Sequence, residues 1–241
     1  MEITNEIIIP KVIHYCWFGR NPKSSLIKKC IKSWKEKCPD YEIVEWNETN
    51  FDINCCEYVK QAYEQKKWAY VSDYARFYIL NKYGGIYVDT DVQFLKPLDD
   101  LLSTKFLGFA REDLVATGLI MASSKNDWFC QDVLATYEND HFEINSDPTK
   151  MYSIGKRTAK ILEKNGLIYN GEEQGVRDYT IYPEYYFNST KGEFFQKADT
   201  RAYTIHHYAA TWFLPKDRLK NKIRRFIGYK NIEKMKAIFK V

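Results

Sequence analysis

An α/β fold, a central sheet flanked by helices, is what the opening of this 241-residue chain predicts, and three consecutive segments predict it. Residues 7–18 (IIIPKVIHYCWF) form an apolar run suited to a buried first strand, with Pro10 at its entry, where a missing N–H is tolerated. Residues 24–37 set Leu26, Ile27, Cys30, Ile31 and Trp34 at spacings near 3.6, one face of a helix. Residues 41–46 (YEIVEW) then alternate as a second strand. A strand, a helix and a strand in this order favour a sheet built with crossover helices.

The remaining elements follow in order. Residues 55–83 read as helix, broken near Lys67 and closed by Gly84-Gly85 as a left-handed cap. The run IYVDTDVQFL reads as one strand, with Ile86, Val88 and Thr90 on one side and Tyr87, Asp89 and Asp91 on the other. Short strands are expected at 106–110 and 118–122, helices at 127–138 and 153–165, and strand-like segments at 179–187 and 202–208. The last segment, 216–240, has helical periodicity. With no repeat and no Pro/Gly/Ser-rich linker, the chain divides into a body, residues 1–214, and a tail, residues 215–241.

Composition narrows the class. A hydrophobic content of 45% and an aromatic content of 16% can build a sizeable core, and most of the 19 Tyr, 14 Phe and 6 Trp are expected there. Cysteines 16, 30, 38, 55, 56 and 130 form no C-x-x-C pair and have no His at zinc-finger spacing, which excludes a structural zinc site. The N-terminus carries acids and no basic n-region, and no run approaches the roughly 20 apolar residues of a membrane span. A cytoplasmic protein with reduced thiols is expected. The net charge of +4 is unevenly spread: residues 215–241 hold ten basic and two acidic side chains, a net of +8, which leaves −4 on the body. A nucleic-acid-binding domain would carry its positive charge on the folded body, so nucleic acid is excluded as a partner.

The chemistry concentrates in Ser72-Asp73-Tyr74-Ala75-Arg76 and Tyr83-Gly84-Gly85-Ile86-Tyr87-Val88-Asp89-Thr90-Asp91. Two carboxylates one residue apart on a strand share a face, which costs electrostatic energy unless a cation lies between them. Hard divalent ions such as Mn²⁺ or Mg²⁺ prefer carboxylate, water and phosphate oxygens, and a nucleoside diphosphate would complete such a shell. A phosphatase of the haloacid-dehalogenase type also ends a strand in D-x-D, but it needs Gly-Thr next, and here Val92-Gln93 follows.

The run SDYARFYILNKYGGIYVDTDV resembles the signature of family 32 glycosyltransferases, whose sugar-binding region contains a D-x-D motif. The opening IPKVIHYCWFG and the late IHHYAATW resemble that family's first and last blocks, in the same order, so the likeness spans roughly residues 9 to 213. The resemblance implies a GT-A-type, Rossmann-like nucleotide-sugar-binding fold with a central mixed, mainly parallel sheet. It also implies residue roles. Trp17 would stack on the base. Asp73 and Arg76, at i, i+3 on one helix face, would hold donor hydroxyls. Tyr87 would face the site, Asp89 would hold donor hydroxyls and ribose directly or through metal-bound water, and Asp91 would ligate Mn²⁺ or Mg²⁺. Of the adjacent His206 and His207 only one can reach the metal, and spacing to Trp212, which would contact the β-phosphate, favours His207.

The implied activity is retaining transfer of a hexose from a nucleotide-sugar donor to a glycan acceptor, lipid-linked in bacterial capsule or O-antigen synthesis. Family breadth favours a UDP-hexose such as UDP-galactose or UDP-glucose, with GDP-mannose as the alternative; a non-catalytic sugar-binding or scaffold protein is the reading of another class. Two departures stand out: Thr211 replaces the family's usual Ser, and its Thr-Gly-Pro element is only faintly visible as Ile154-Gly155-Lys156. Glu112, Asp113 and the Glu172-Glu173-Gln174 cluster are read as solvated loop residues, which leaves the catalytic base unassigned. In the tail, Leu219, Ile223, Phe226 and Ile227 form an apolar stripe beside Lys216, Arg218, Lys220, Lys222, Arg224 and Arg225. That pattern suits either an anionic membrane surface, where the chain would sit peripherally, or packing of the stripe on the body or a second subunit with its charges solvated.

Overall fold

The computed structural model describes residues 9–143, 153–188 and 199–209. Its architecture is a mixed sheet with helices packed against it, the α/β class expected. The strand β1 (Val12–Cys16) leads into α1 (Ser25–Lys37) and β2 (Glu42–Trp46), and β1 and β2 pair in parallel over five residues. Next come α2 (Glu57–Glu64) and α3 (Trp68–Tyr83), separated at the expected break, where Lys66 takes a φ of 56°. They cross over to β3 (Gly85–Tyr87), which lies parallel to β1 on its other side. The chain therefore leaves β1 in one direction along the sheet and returns in the other. In α/β sheets such a reversal opens a crevice beyond the carboxyl ends of the strands, where ligands bind.

Local chemistry explains these elements. Ser24 caps α1 by accepting from Ile27 N–H at 3.4 Å, and Lys35 and Lys37 sit in the last turn, where the helix dipole favours cations. The buried face is Ile27, Cys30, Ser33 and Trp34, with Leu26 and Ile31 half-buried at its flanks. Helix α3 ends in Gly84 and Gly85, both at positive φ as expected (67° and 101°). The Gly84 ψ of −168° departs from a left-handed cap and turns the chain straight into β3.

The D-x-D segment departs from its expected single strand. Pairing stops at Tyr87, and β4 (Val92–Phe94) leaves the main sheet to pair antiparallel with β10 (Thr204–His206). Residues 88–91 form the connection, turned by Val92 N–H donating to Asp89 O at 3.1 Å. Helix α1 fixes where β4 goes: Trp34 Nε1 donates to Val92 O at 2.7 Å, and Ser33 Oγ accepts from Phe94 N–H at 2.9 Å.

The second half runs through β5 (Lys105–Arg111), β6 (Leu114–Val115), β7 (Met121–Ser123), α4 (Trp128–Ala135), α5 (Ile154–Lys164), β8 (Gln174–Val176), β9 (Tyr179–Tyr182) and α6 (Glu184–Phe187). The main path of the sheet is β2-β1-β3-β7-β5-β9-β8. The β1–β2, β1–β3 and β5–β9 ladders are parallel and the others antiparallel. Strand 179–187 stops at Tyr182, because Pro183 caps a short helix with Glu184 in its first turn. Of 118–122, only Met121 and Ala122 pair, and Gly118 O accepts from Asp89 N–H instead. The tail, Thr211 and Trp212 lie outside the described residues. Among those described, no helix is long and apolar enough to cross a membrane.

One buried group makes this half of the sheet sensitive to acid. His14 Nε2 donates to Gly84 O at 2.9 Å, while Nδ1 accepts from Trp46 Nε1 at 3.1 Å, an arrangement that needs the neutral ring. Burial lowers its pKa to about 4, against a weaker upward pull from Gly84 O. Between pH 6.5 and 4 the unfolded chain therefore binds the proton and the folded chain does not, so stability falls as pH falls through that window. Urea unfolding at pH 7 and pH 5 should differ by about 2 kcal/mol from this residue. His14→Gln should start less stable at pH 7 and show a correspondingly smaller drop. An equal drop in both proteins would assign the acid sensitivity elsewhere.

Candidate active site

A cleft of about 930 Å³ opens beyond the carboxyl ends of β1 and β3, at the reversal point of the sheet. It is lined by Trp17, directly after β1, by Asp89 and Asp91, in the segment after β3, by residues 114–119 and by the first turn of α5. Asp73, Arg76 and Tyr87 also line it.

Arg76 organises the centre. Its guanidinium is buried, with Nη2 2.8 Å from Asp73 Oδ1 and 3.5 Å from Asp89 Oδ1, and Nε donating to Ser72 O at 3.2 Å. It lies over the Tyr87 ring at 4.8 Å, and Tyr87 OH donates to Asp89 Oδ1 at 3.2 Å. Burial raises the Asp73 carboxyl to about 6, with Arg76 pulling it down and Asp89 pushing it up. Burial also raises Asp89, opposed by Arg76. Two partly desolvated carboxylates thus share one permanent cation, an arrangement typical of functional sites.

Asp91 faces a different set of partners. Its Oδ2 accepts from Ala209 N–H at 2.6 Å, and its Oδ1 lies 3.2 Å from His206 Nε2. Burial alone would raise this carboxyl, but the His206 and Ala209 contacts bring it below the usual carboxylate range. The two histidines reach different partners, and the ring at Asp91 belongs to His206, not to the expected His207. His207 continues the β4–β10 ladder by donating its backbone N–H to Asp91 O at 2.9 Å, and its ring reaches Gln93 Oε1 at 3.0 Å. The register of that ladder does not explain this: with His206 opposite Val92, His207 falls opposite Asp91, so the His206 ring reaches the Asp91 carboxylate from the neighbouring pair.

Among the described residues, no group of three or more His, Cys, Asp or Glu side chains forms a metal cage. The donor set nevertheless suits a cation that takes only part of its shell from protein. Asp91 offers carboxylate oxygens, His206 stands beside it, and His206 Nδ1 is buried with no hydrogen-bond partner among the described residues. Mg²⁺-like ions are commonly held by one or two carboxylates plus phosphate oxygens and water.

Trp17 is half-buried in the cleft wall, with its Nε1 donating to Asn21 O at 2.7 Å. Trp68 stands nearby, against Gly19, whose φ is 87°; a Cβ on Gly19 would lie 2.4 Å from Trp68 Nε1. Sequence reasoning missed Trp68, and it missed Gly118. Gly118 O accepts from Asp89 N–H at 2.8 Å, and a Cβ at Gly118 would lie 2.2 Å from Asp89 Oδ2 and 2.6 Å from Arg76 Nη1. The only signal in the sequence was a glycine beside a strand, too common to mark a site. Glu112, Asp113 and residues 172–174 do not line the cleft, in keeping with solvated charges.

The model of the family described as "Glycosyltransferase sugar-binding region containing DXD motif" matches residues 24–107, about a third of the chain. Inositol phosphoceramide mannosyltransferase 3 of Schizosaccharomyces pombe is 26% identical over 230 residues, covering 86% of this chain and 62% of that protein. Mannosyl phosphorylinositol ceramide synthase SUR1 of Saccharomyces cerevisiae is 26% identical over 217 residues, covering 80% of this chain and 53% of its own. The chain thus spans less than two thirds of the length of these relatives. Among solved structures, the PaToxG glycosyltransferase superposes with a TM-score of 0.48 at 18% identity, covering 65% of this chain and 69% of that one. From the start of α1 into β5, the chain is similar to the DXD-containing sugar-binding region of glycosyltransferases, and its D-x-D is Asp89-Thr90-Asp91.

Proposed function

We propose that this cleft binds a nucleotide-diphosphate sugar and transfers the sugar, with retention, to a hydroxyl of a glycan or lipid-linked acceptor. The observation that carries the reading is the buried Arg76, joined to Asp73 and Asp89 beside the Asp91–His206 pair. Such a cluster can hold sugar hydroxyls and meet the charge that develops on a departing diphosphate, which fixed charges in a water-poor site stabilise strongly. Asp91 and His206 would hold Mn²⁺ or Mg²⁺, with Asp89 reaching it through water. When bound, the ion would add a second positive charge at the leaving group. Trp17 would stack on the base, and Trp212 would contact the diphosphate.

The donor we favour carries mannose. Two relatives are mannosyl-transferring enzymes by name, which supports a GDP-mannose-type donor over the UDP-hexose that family breadth suggests. Their names also include a ceramide lipid, which supports a lipid-linked acceptor and a peripheral place for the basic tail at an anionic membrane. Capsule and O-antigen synthesis have no such support.

A thermal-shift panel of GDP- and UDP-sugars with Mn²⁺ or Mg²⁺ tests the donor. A ligand at a hundred times its Kd should add about 2.7 kcal/mol of stability, and the matching donor should be slowly hydrolysed to nucleoside diphosphate. Stabilisation by nucleotide sugars with no hydrolysis or transfer to any acceptor would favour a binding protein. No response to any member of the panel would sink the reading. For the tail, removal of residues 215–241 should abolish salt-sensitive co-sedimentation with anionic vesicles. Equal binding by both forms, or none by the whole chain, would reject the membrane role.

A further inference from the structure

We propose that Lys23 and Glu45 are positioning residues that hold Trp17 in place as a stacking platform; this rests on the reading of Trp17 as the base-stacking residue. The Lys23 ammonium lies 5.2 Å from the centre of the Trp17 ring and 6.0 Å from that of Tyr15. Trp17 lines the cleft and Lys23 does not, and Trp17 also packs against the buried cluster that contains Tyr15 and Trp34. The ring edge is also engaged, through Nε1 and Asn21 O.

The cation is itself held in place. Lys23 Nζ lies 2.7 Å from Glu45 Oε2, and Glu45 also accepts from Tyr15 OH at 2.5 Å and from Asn47 Nδ2 at 3.3 Å. Tyr15 and Glu45 are directly opposed in the β1–β2 ladder, so the anchor stands on paired strands and not on the loop that carries Trp17. An exposed ion pair alone contributes little. Here the side chains of Lys23 and Glu45 are only 21% and 31% exposed, and the ammonium rests on an indole, the strongest cation–π partner. The consequence is preorganisation: Trp17 sits in its stacking orientation before the nucleotide arrives, and binding loses less rotamer freedom.

Calorimetric titration of GDP and UDP into the full chain tests this with Lys23→Met, Lys23→Arg, Trp17→Ala and the Lys23→Met/Trp17→Ala double variant. Lys23→Met keeps the apolar stem and removes the charge. It should weaken binding of the preferred nucleotide about three- to tenfold, with little change in Tm. Lys23→Arg should restore affinity to within about twofold, because a guanidinium also stacks on indole. In the Trp17→Ala background, Lys23→Met should have no further effect, since the ring it positions is gone. If Lys23→Met unfolds the protein, Glu45→Gln gives the same cycle. Wild-type affinity in Lys23→Met, or an equal loss with and without Trp17, would overturn the proposal while leaving the base-stacking reading intact. Wild-type affinity in Trp17→Ala would overturn both.

Discussion

Asp91→Asn should lower kcat/KM by at least about a hundredfold and abolish the response to Mn²⁺ or Mg²⁺, while the protein remains folded. Losing one preorganised electrostatic group aimed at developing charge commonly costs this much. The folded state should survive because an asparagine oxygen can still accept from Ala209 N–H, the 2.6 Å contact that ties residues 206–209 to the site. What is lost is the negative charge beside His206. The measurement is turnover of the preferred nucleotide sugar across a metal titration, with circular dichroism and Tm as controls. Activity within a few-fold of wild type, with its metal dependence kept, would show that Asp91 holds no catalytic ion. A large fall in Tm would instead show that the carboxylate mainly secures the 206–209 segment.

The sequence disclosed those parts of this architecture that repeat locally. Helix α1 was legible because its apolar residues recur on one face, and the α2–α3 break because Lys67 interrupts that pattern. The D-x-D residues stood out as a candidate cation site from their charge alone, but their placement was not legible. The alternation of IYVDTDV fits a continuous strand, and the strand is cut because α1 captures the backbone of β4 through Trp34 and Ser33, a contact between residues about 60 positions apart. Strands β6 and β8, of two and three residues, are too short for any period to register. Helix α3 carries large apolar or aromatic residues on all its sides, so no stripe marked Arg76 as the side chain turned inward. The exchange of His206 for His207 has a similar origin. Alternation and the β4–β10 register would both set His207 opposite Asp91, but the ladder ends at His206–Val92, and past its end the strand rule no longer places the rings.

Gly118→Ala should be as damaging to activity as loss of a charged residue, and for a purely steric reason. Gly118 does not occupy the positive-φ region, so its backbone conformation accepts alanine. The added methyl, however, would stand 2.2 Å from Asp89 Oδ2, 2.9 Å from Asp89 Cγ and 2.6 Å from Arg76 Nη1. These are the ends of side chains, which can move, so the fold should persist and Tm should fall only modestly. They cannot move without opening the Arg76–Asp89 contact and the hydrogen bond from Tyr87. A displacement of about 1 Å in positioning groups can cost about a hundredfold in rate, and a loss of that size in kcat/KM is expected here. Gly175→Ala is the matching control: it lies in β8, outside the cleft, and its added methyl meets nothing within 4 Å. Near-normal turnover by folded Gly118→Ala would mean that the Asp89–Arg76 contact is dispensable for the chemistry, and the catalytic centre would then have to be sought around Asp91 and His206 alone.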